Sequence, residues 1–199
     1  MKKKIFIVAI IFILVISVFY CYKFFIPGNN KSVKDVNELN EYILNIKNYN
    51  LEAKITVNSN KNTNTYLLKE TNEKGNLVTE IVSESTNNGI VCEYKNESLT
   101  IKNTELGLPR IFADYKELFS NPIDLNSFIE DYKVDDKKEI KTKDDYYIVS
   151  VKNRNLQNKY TTHKVMYFSR SKSRIERIEI KDINNNQTII IEYSSFKLL

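Results

Sequence analysis

Residues 173–196 read SRIERIEIKDINNNQTIIIEYSSF. Apolar positions recur through Ile175–Ile180 and again through Thr188–Tyr193, and the run Asp182–Asn186 between them is built from turn formers. The stretch therefore predicts two antiparallel strands joined by a polar turn, the second closing on an aromatic, Tyr193 or Phe196.

Runs of the same style lie on either side of this hairpin. Upstream are Tyr146–Val151 and Tyr160–Phe168. Near the start, Leu51, Ala53, Ile55 and Val57 alternate with Glu52, Lys54 and Thr56, as in a strand with one buried face. Tyr66–Lys69, Leu77–Val82, Ile90–Tyr94 and Leu99–Ile101 follow, separated by Asn, Gly, Ser and Thr turns such as Asn87-Asn88-Gly89. In sequence this is an antiparallel meander.

Two regions carry helical spacing instead. Asp35 and Glu38 have the spacing of a capping box, and Val36, Leu39, Ile43 and Ile46 recur on one face, which predicts an amphipathic helix ending near Asn48. In the middle, Ile111, Phe112, Tyr115, Leu118 and Phe119 fit one helical face, and Leu125, Phe128, Ile129 and Tyr132 fit another. Asn121 before Pro122 suits the start of the second helix. The fold class expected is α+β: a strongly curved antiparallel sheet, a half-barrel, whose concave face is covered by the N-terminal helix and short central helices. A single large sheet needs such a lid to bury its apolar face. Only four glycines in 199 residues argue against a tightly closed small barrel with many kinked corners.

The segment Ile5–Tyr22 (IFIVAIIFILVISVFYCY) is apolar except for Ser17 and follows Lys2, Lys3 and Lys4, which would hold the N-terminus in the cytoplasm. As a helix it would be roughly 27 Å long, near the thickness of a bilayer core. It serves equally as an uncleaved signal anchor or as a secretory signal cut before a lipidated Cys21; Tyr20 directly before that cysteine departs from the usual lipobox. Either outcome places the rest of the chain on the outer face of a bacterial membrane. The expected organisation is residues 1–23 as anchor or signal, 24–34 as a polar spacer around Pro27 and Gly28, and 35–199 as one binding domain.

The formal charge is +5, but Lys2, Lys3, Lys4 and Lys23 all flank the apolar N-terminus. The remainder is nearly neutral, so the electrostatic footprint of a nucleic-acid binder is missing. Cys92 lies in an alternating run and reads as a small buried apolar residue unconnected to Cys21. With His163 the only histidine, no zinc spacing can be written and no cofactor is expected. His163 sits in YTTHKVMYF, an ordinary strand run. The pairs Asp135-Asp136 and Asp144-Asp145 lie among Lys137, Lys138, Lys141 and Lys143, which reads as a solvated loop of mixed charge and not as a glycosidase's carboxylates. The aromatics Phe112, Tyr115, Phe119, Phe128 and Tyr132 would fill the core between helix and sheet or, in a carrier, line a lipid cavity. The candidate partner-binding residues are Arg170, Lys172, Arg174 and Arg177, at the turn before the last hairpin. Long alternating strands also offer edges for strand addition or homodimerisation.

The order helix, meander, aromatic helical insertion and returning strands, ending on the hairpin quoted above, resembles the LolA/LolB-like lipoprotein-localisation fold. Within that group, a Lys/Asn-rich anchored chain resembles the clostridial spore-germination lipoproteins of the GerS type. The resemblance implies a non-catalytic lipoprotein on the spore or forespore membrane that binds a spore-cortex N-acetylmuramoyl-alanine amidase, needed for cortex modification and germination. The alternative it implies is a lipid or lipoprotein carrier with a hydrophobic cavity. LolA carriers close that cavity with an arginine in an early strand, whereas the first arginine here is Arg110.

Overall fold

In the computed structural model the described residues are 32–199, except 60, 84–88, 104, 114–121 and 155–157. Cys21 and the anchor segment lie outside them. Among the described residues no helix is long and apolar enough to cross a membrane.

Helix α1, Val36–Asn45, starts as its sequence directs: Asp35 accepts the Glu38 N–H at 2.9 Å, and the Glu38 carboxylate reaches back to the Lys34 N–H at 2.7 Å. Two otherwise orphaned donors are thereby satisfied. Asp35→Ala should cost about 1 kcal/mol, read as a shifted urea midpoint with an unchanged slope. The helix stops at Ile46, earlier than its apolar spacing suggested, because the chain must turn into β1 at Tyr49. Its buried residues Leu39 and Ile43 face the sheet core.

Eleven strands follow: β1 Tyr49–Asn58, β2 Thr63–Glu73, β3 Asn76–Ser83, β4 Gly89–Lys95, β5 Ser98–Asn103, β6 Pro109–Phe112, β7 Glu139–Lys143, β8 Tyr146–Lys152, β9 His163–Ser169, β10 Arg174–Lys181 and β11 Gln187–Leu198. Helix α2, Leu125–Val134, separates β6 from β7. All pair antiparallel in one open sheet of order β6-β5-β4-β3-β2-β1-β11-β10-β9-β8-β7. Two meanders are thus joined where β1 meets the C-terminal strand, with Ile55 opposite Ile191. The sheet is a curved, unclosed half-barrel. The two-residue hairpins at Lys74-Gly75 and Asn96-Glu97 have positive φ at both positions, the backbone twist that suits tight antiparallel connections.

The expected first central helix is corrected at its start. Ile111 and Phe112 belong to β6, opposite Thr100 and Leu99, so they point to opposite faces and cannot share one helical stripe. Pro109 opens that strand at the sheet edge, where its missing N–H costs nothing. Tyr115, Leu118 and Phe119 lie outside the described residues. The second helix forms, with Asp124 rather than Asn121 at its N-cap position. Phe128 and Tyr132 are each 1% exposed and their rings stack at 6.4 Å, filling the space between α2 and the sheet; Phe112, by contrast, is 44% exposed.

The Lys-rich run after Asp135 also differs from expectation, forming edge strand β7 against β8. Its exposed alternation of Glu139, Lys141 and Lys143, with a Glu139–Lys141 ion pair at 2.7 Å, charges an edge that would otherwise invite pairing. Cys92 is a free, half-buried thiol on the core face of β4, opposite Thr79, and burial pushes its pKa up, with Asp124 adding to the shift.

Candidate partner-binding surface

The four basic residues proposed from the sequence divide between two surroundings. Arg170 lies in the β9–β10 turn, its guanidinium 5.3 Å from the centre of the Tyr147 ring. Tyr147 is a core residue whose hydroxyl donates to the Lys34 carbonyl at 2.8 Å. The turn is held by Asp145, which accepts Ser169 Oγ at 2.8 Å, Ser171 Oγ at 2.6 Å and the Ser171 N–H at 3.0 Å. Those donors, the Ser171 hydroxyl first, hold the Asp145 carboxyl below its usual range. Asp145 is therefore a clamp between two turns, and in the other acidic pair Asp135 accepts the Lys137 and Lys152 N–H groups at 2.9 and 2.7 Å.

Lys172 lies just before β10, and Arg174 and Arg177 lie within it. Glu176 is the extra residue of a β-bulge between Ile175 and Arg177, and it collects Lys172 Nζ at 2.6 Å, the Tyr146 hydroxyl at 2.8 Å and Arg174 Nη2 at 3.9 Å. Lys172 is the main reason its carboxyl titrates below the usual range. Past the bulge, Arg177 stands opposite Tyr167 on β9 and Glu192 on β11. Its guanidinium lies 4.1 Å from the centre of the Tyr167 ring, and Nη2 is 3.1 Å from Glu179 Oε1. Tyr146 meets Tyr167 edge-on at 6.2 Å. Tyr146, Tyr167, Glu176, Arg177 and Glu192, with Lys143, Asp144 and Ile148, line a cleft of about 470 Å³ on the face away from the core.

Arginine needs an aromatic neighbourhood to anchor binding, and Arg177 has one. The guanidinium is held in place before any partner arrives, so little conformational freedom remains to be lost on docking. The Lys172–Glu176 pair, whose lysine is 59% exposed, is worth roughly 0–1 kcal/mol, whereas Arg177 pairs with the buried Glu179, which holds the guanidinium further in place. The cleft's tyrosines and its carboxylates Glu176 and Glu192 were not singled out in the sequence. Cross-strand parity from Arg177 identifies Tyr167 and Glu192 once the register is known.

His163 opens β9 with Nδ1 2.9 Å from Thr162 Oγ1, a contact between chain neighbours at the strand start. Among the described residues no group of three His, Cys, Asp or Glu side chains is placed to hold a metal ion.

The class defined by this architecture is an open, antiparallel half-barrel covered by two helices. Among solved structures, a chain of the complex between the CwlD amidase and the GerS lipoprotein of Clostridioides difficile is similar at 19% identity and a TM-score of 0.52, over 85% of this chain and 99% of that one. An uncharacterised conserved protein from Thermus thermophilus is similar at 7% identity and a TM-score of 0.53, over 83% and 88%. A LolA superfamily protein from Nitrosomonas europaea follows at 13% identity and a TM-score of 0.40, over 84% and 94%. These are likenesses of fold. No family model and no curated protein matches the sequence.

Proposed function

We propose that this chain is a non-catalytic, membrane-anchored extracytoplasmic lipoprotein that binds and supports a spore-cortex N-acetylmuramoyl-alanine amidase. The observation that carries this reading is the occupied concave face. Phe128, Tyr132, Leu39 and Ile43, each no more than 1% exposed, fill the space between the helices and the sheet, which favours a protein partner docked outside it over cargo held within. The fold shared with a chain of an amidase–lipoprotein complex supports the kind of partner. The anchored N-terminus read from Lys2–Tyr22, with Cys21 as the lipidation site, supports a protein kept at one membrane. On this reading Arg177, Arg174 and Lys172 contribute to the docking surface.

The test is to assay the amidase on cortex muropeptides with and without the full chain in detergent. Amidase activity should depend on the chain, and Arg177→Glu should weaken the complex at least about tenfold, since it removes a stacked arginine and adds a repelled charge. Unchanged activity in the presence of the chain would overturn the proposal; unchanged affinity of the variant would overturn only the choice of surface.

A further inference from the structure

A second cleft, of about 780 Å³, lies at the far end of the sheet from the β9–β10 turn, among the β1–β2 turn, the β10–β11 turn and residues 160–161. Its size falls within the range of about 300–1,000 Å³ usual for small-ligand sites. Its floor is apolar: Val57 and Ile189, opposite each other on β1 and β11 and only partly buried against the core. Its rim is almost wholly uncharged hydrogen-bonding groups, with amides from Asn62, Asn186 and Gln187 and hydroxyls from Thr161 and Thr188. On one side stands Tyr160, 58% exposed.

The frame of this cleft is tied together by the protein itself. Thr188 Oγ1 donates to the Tyr160 carbonyl at 2.8 Å, the Ile183 N–H donates to the Lys159 carbonyl at 3.0 Å, and Asn58 Nδ2 reaches the Gln187 carbonyl at 3.4 Å. Asp182 accepts the N–H groups of Asn184 and Asn186, each at 2.8 Å. The side-chain amides of Asn62 and Gln187 and the Tyr160 hydroxyl make no hydrogen bond among the described residues, and both amide residues are exposed. Fixed backbone with unspent amides and a ring 58% exposed, over which the Lys159 ammonium lies 5.2 Å from the centre, is the arrangement of a binding surface that meets a polar ligand by adaptable hydrogen bonds around a rigid aromatic.

The ligand that fits must offer an apolar face to a ring and a shallow aliphatic floor, with neutral donors and acceptors at its edges. A pyranose does so: its axial C–H groups form an apolar face, and its hydroxyl and acetamido substituents project from the rim. A nucleic acid or polyanion would call for a basic lining, whereas Lys61 and Asp182 line the cleft with opposite charges and the Lys159 ammonium beside it is engaged over the Tyr160 ring. We propose that this cleft binds a neutral, N-acetylated glycan, with Tyr160 as the stacking platform and Asn62 and Gln187 as hydrogen-bonding residues. Glycan binding and partner docking use different residues, so either can fail alone.

The probe is the β-1,4-linked N-acetylglucosamine tetrasaccharide, titrated by calorimetry or by NMR into the full chain in a sugar-free zwitterionic detergent. Saturable binding is expected, with Tyr160→Ala weakening it about tenfold and Gln187→Ala about threefold to tenfold. Both side chains are exposed, so unchanged melting curves should show that the variants fold. Tyr146→Ala, in the β8–β10 cleft, should leave glycan affinity unchanged. Absence of saturation up to about 10 mM tetrasaccharide, which corresponds to less than about 3 kcal/mol of binding, would overturn the inference. So would equal affinity of Tyr160→Ala and the parent chain, or displacement of the sugar by a fatty acid that binds the same cleft more tightly.

Discussion

Replacing Asp131 by alanine is expected to destabilise the protein by about 3–5 kcal/mol and to lower its melting temperature by on the order of 10 °C. Asp131, 1% exposed on α2, holds the fully buried Lys164 of β9 through Oδ2 at 2.6 Å, while Lys164 Nζ also donates to Ser127 Oγ at 2.6 Å. Oδ1 accepts Arg154 Nε at 3.0 Å. Burial pulls the Lys164 pKa below its ordinary value, and Asp131 is the main opposing influence. Without the carboxylate the ammonium is left in an apolar interior and must lose its proton or open the structure. Adding Lys164→Met to Asp131→Leu should restore most of the loss, because a well-packed apolar pair carries no desolvation penalty. Arg154 is already 36% exposed and can turn to water. A loss below about 1 kcal/mol for Asp131→Ala, measured by urea unfolding, would mean that the clamp is not formed.

Stability should also fall as pH rises, and Glu70→Gln should remove most of that fall. Glu70, 1% exposed, points from β2 toward Asp124 at the head of α2 and accepts the Tyr49 hydroxyl. Burial first, then the charge of Asp124, raises its carboxyl well above 4.5, the Tyr49 hydrogen bond opposing. The folded state therefore keeps a proton that the unfolded chain has released. The stabilisation from this group is complete below the unfolded value and is lost as pH climbs through the folded one, at about 1.4 kcal/mol per pH unit between the two. Melting temperatures of the parent chain should drop as pH rises above about 5, and those of Glu70→Gln should stay nearly level. Parallel curves for the two proteins would show that Glu70 is ionised and matched in the fold. The cluster also holds Tyr193 Oη and Asn72 Oδ1, buried and without a hydrogen-bond partner among the described residues, so a neutral side chain is easily accommodated there.

Both effects come from residues that the sequence reading passed over, although the information was present in parity. Once Met166 and Phe168 are placed inward on β9, Lys164 must share their face; once Leu68 is inward on β2, so are Glu70 and Asn72. A lysine or glutamate at such a position reads as a strand end, because nothing local reveals a partner 33 residues away, as Asp131 is from Lys164. The apolar alternation of β1 and of the final hairpin was legible, as were α1 and its cap, because each depends on neighbours in the chain. The segment after Pro109 was misread because Ile111 and Phe112 satisfy a helical and an extended pattern alike, and only the exposed side of β5 decides between them. Among the candidate site residues, Arg177 acquired its meaning from Tyr167, a cross-strand neighbour that spacing alone does not supply.

Native mass spectrometry of the full chain, released from its own membrane in mild detergent, tests most directly whether it works through a protein partner held on its outer face. A stoichiometric complex with a cell-wall amidase, free of acyl lipid beyond any anchor on Cys21, is the result expected. A chain that arrives without protein partner and with one non-covalent acyl lipid per molecule would contradict it and make the protein a carrier.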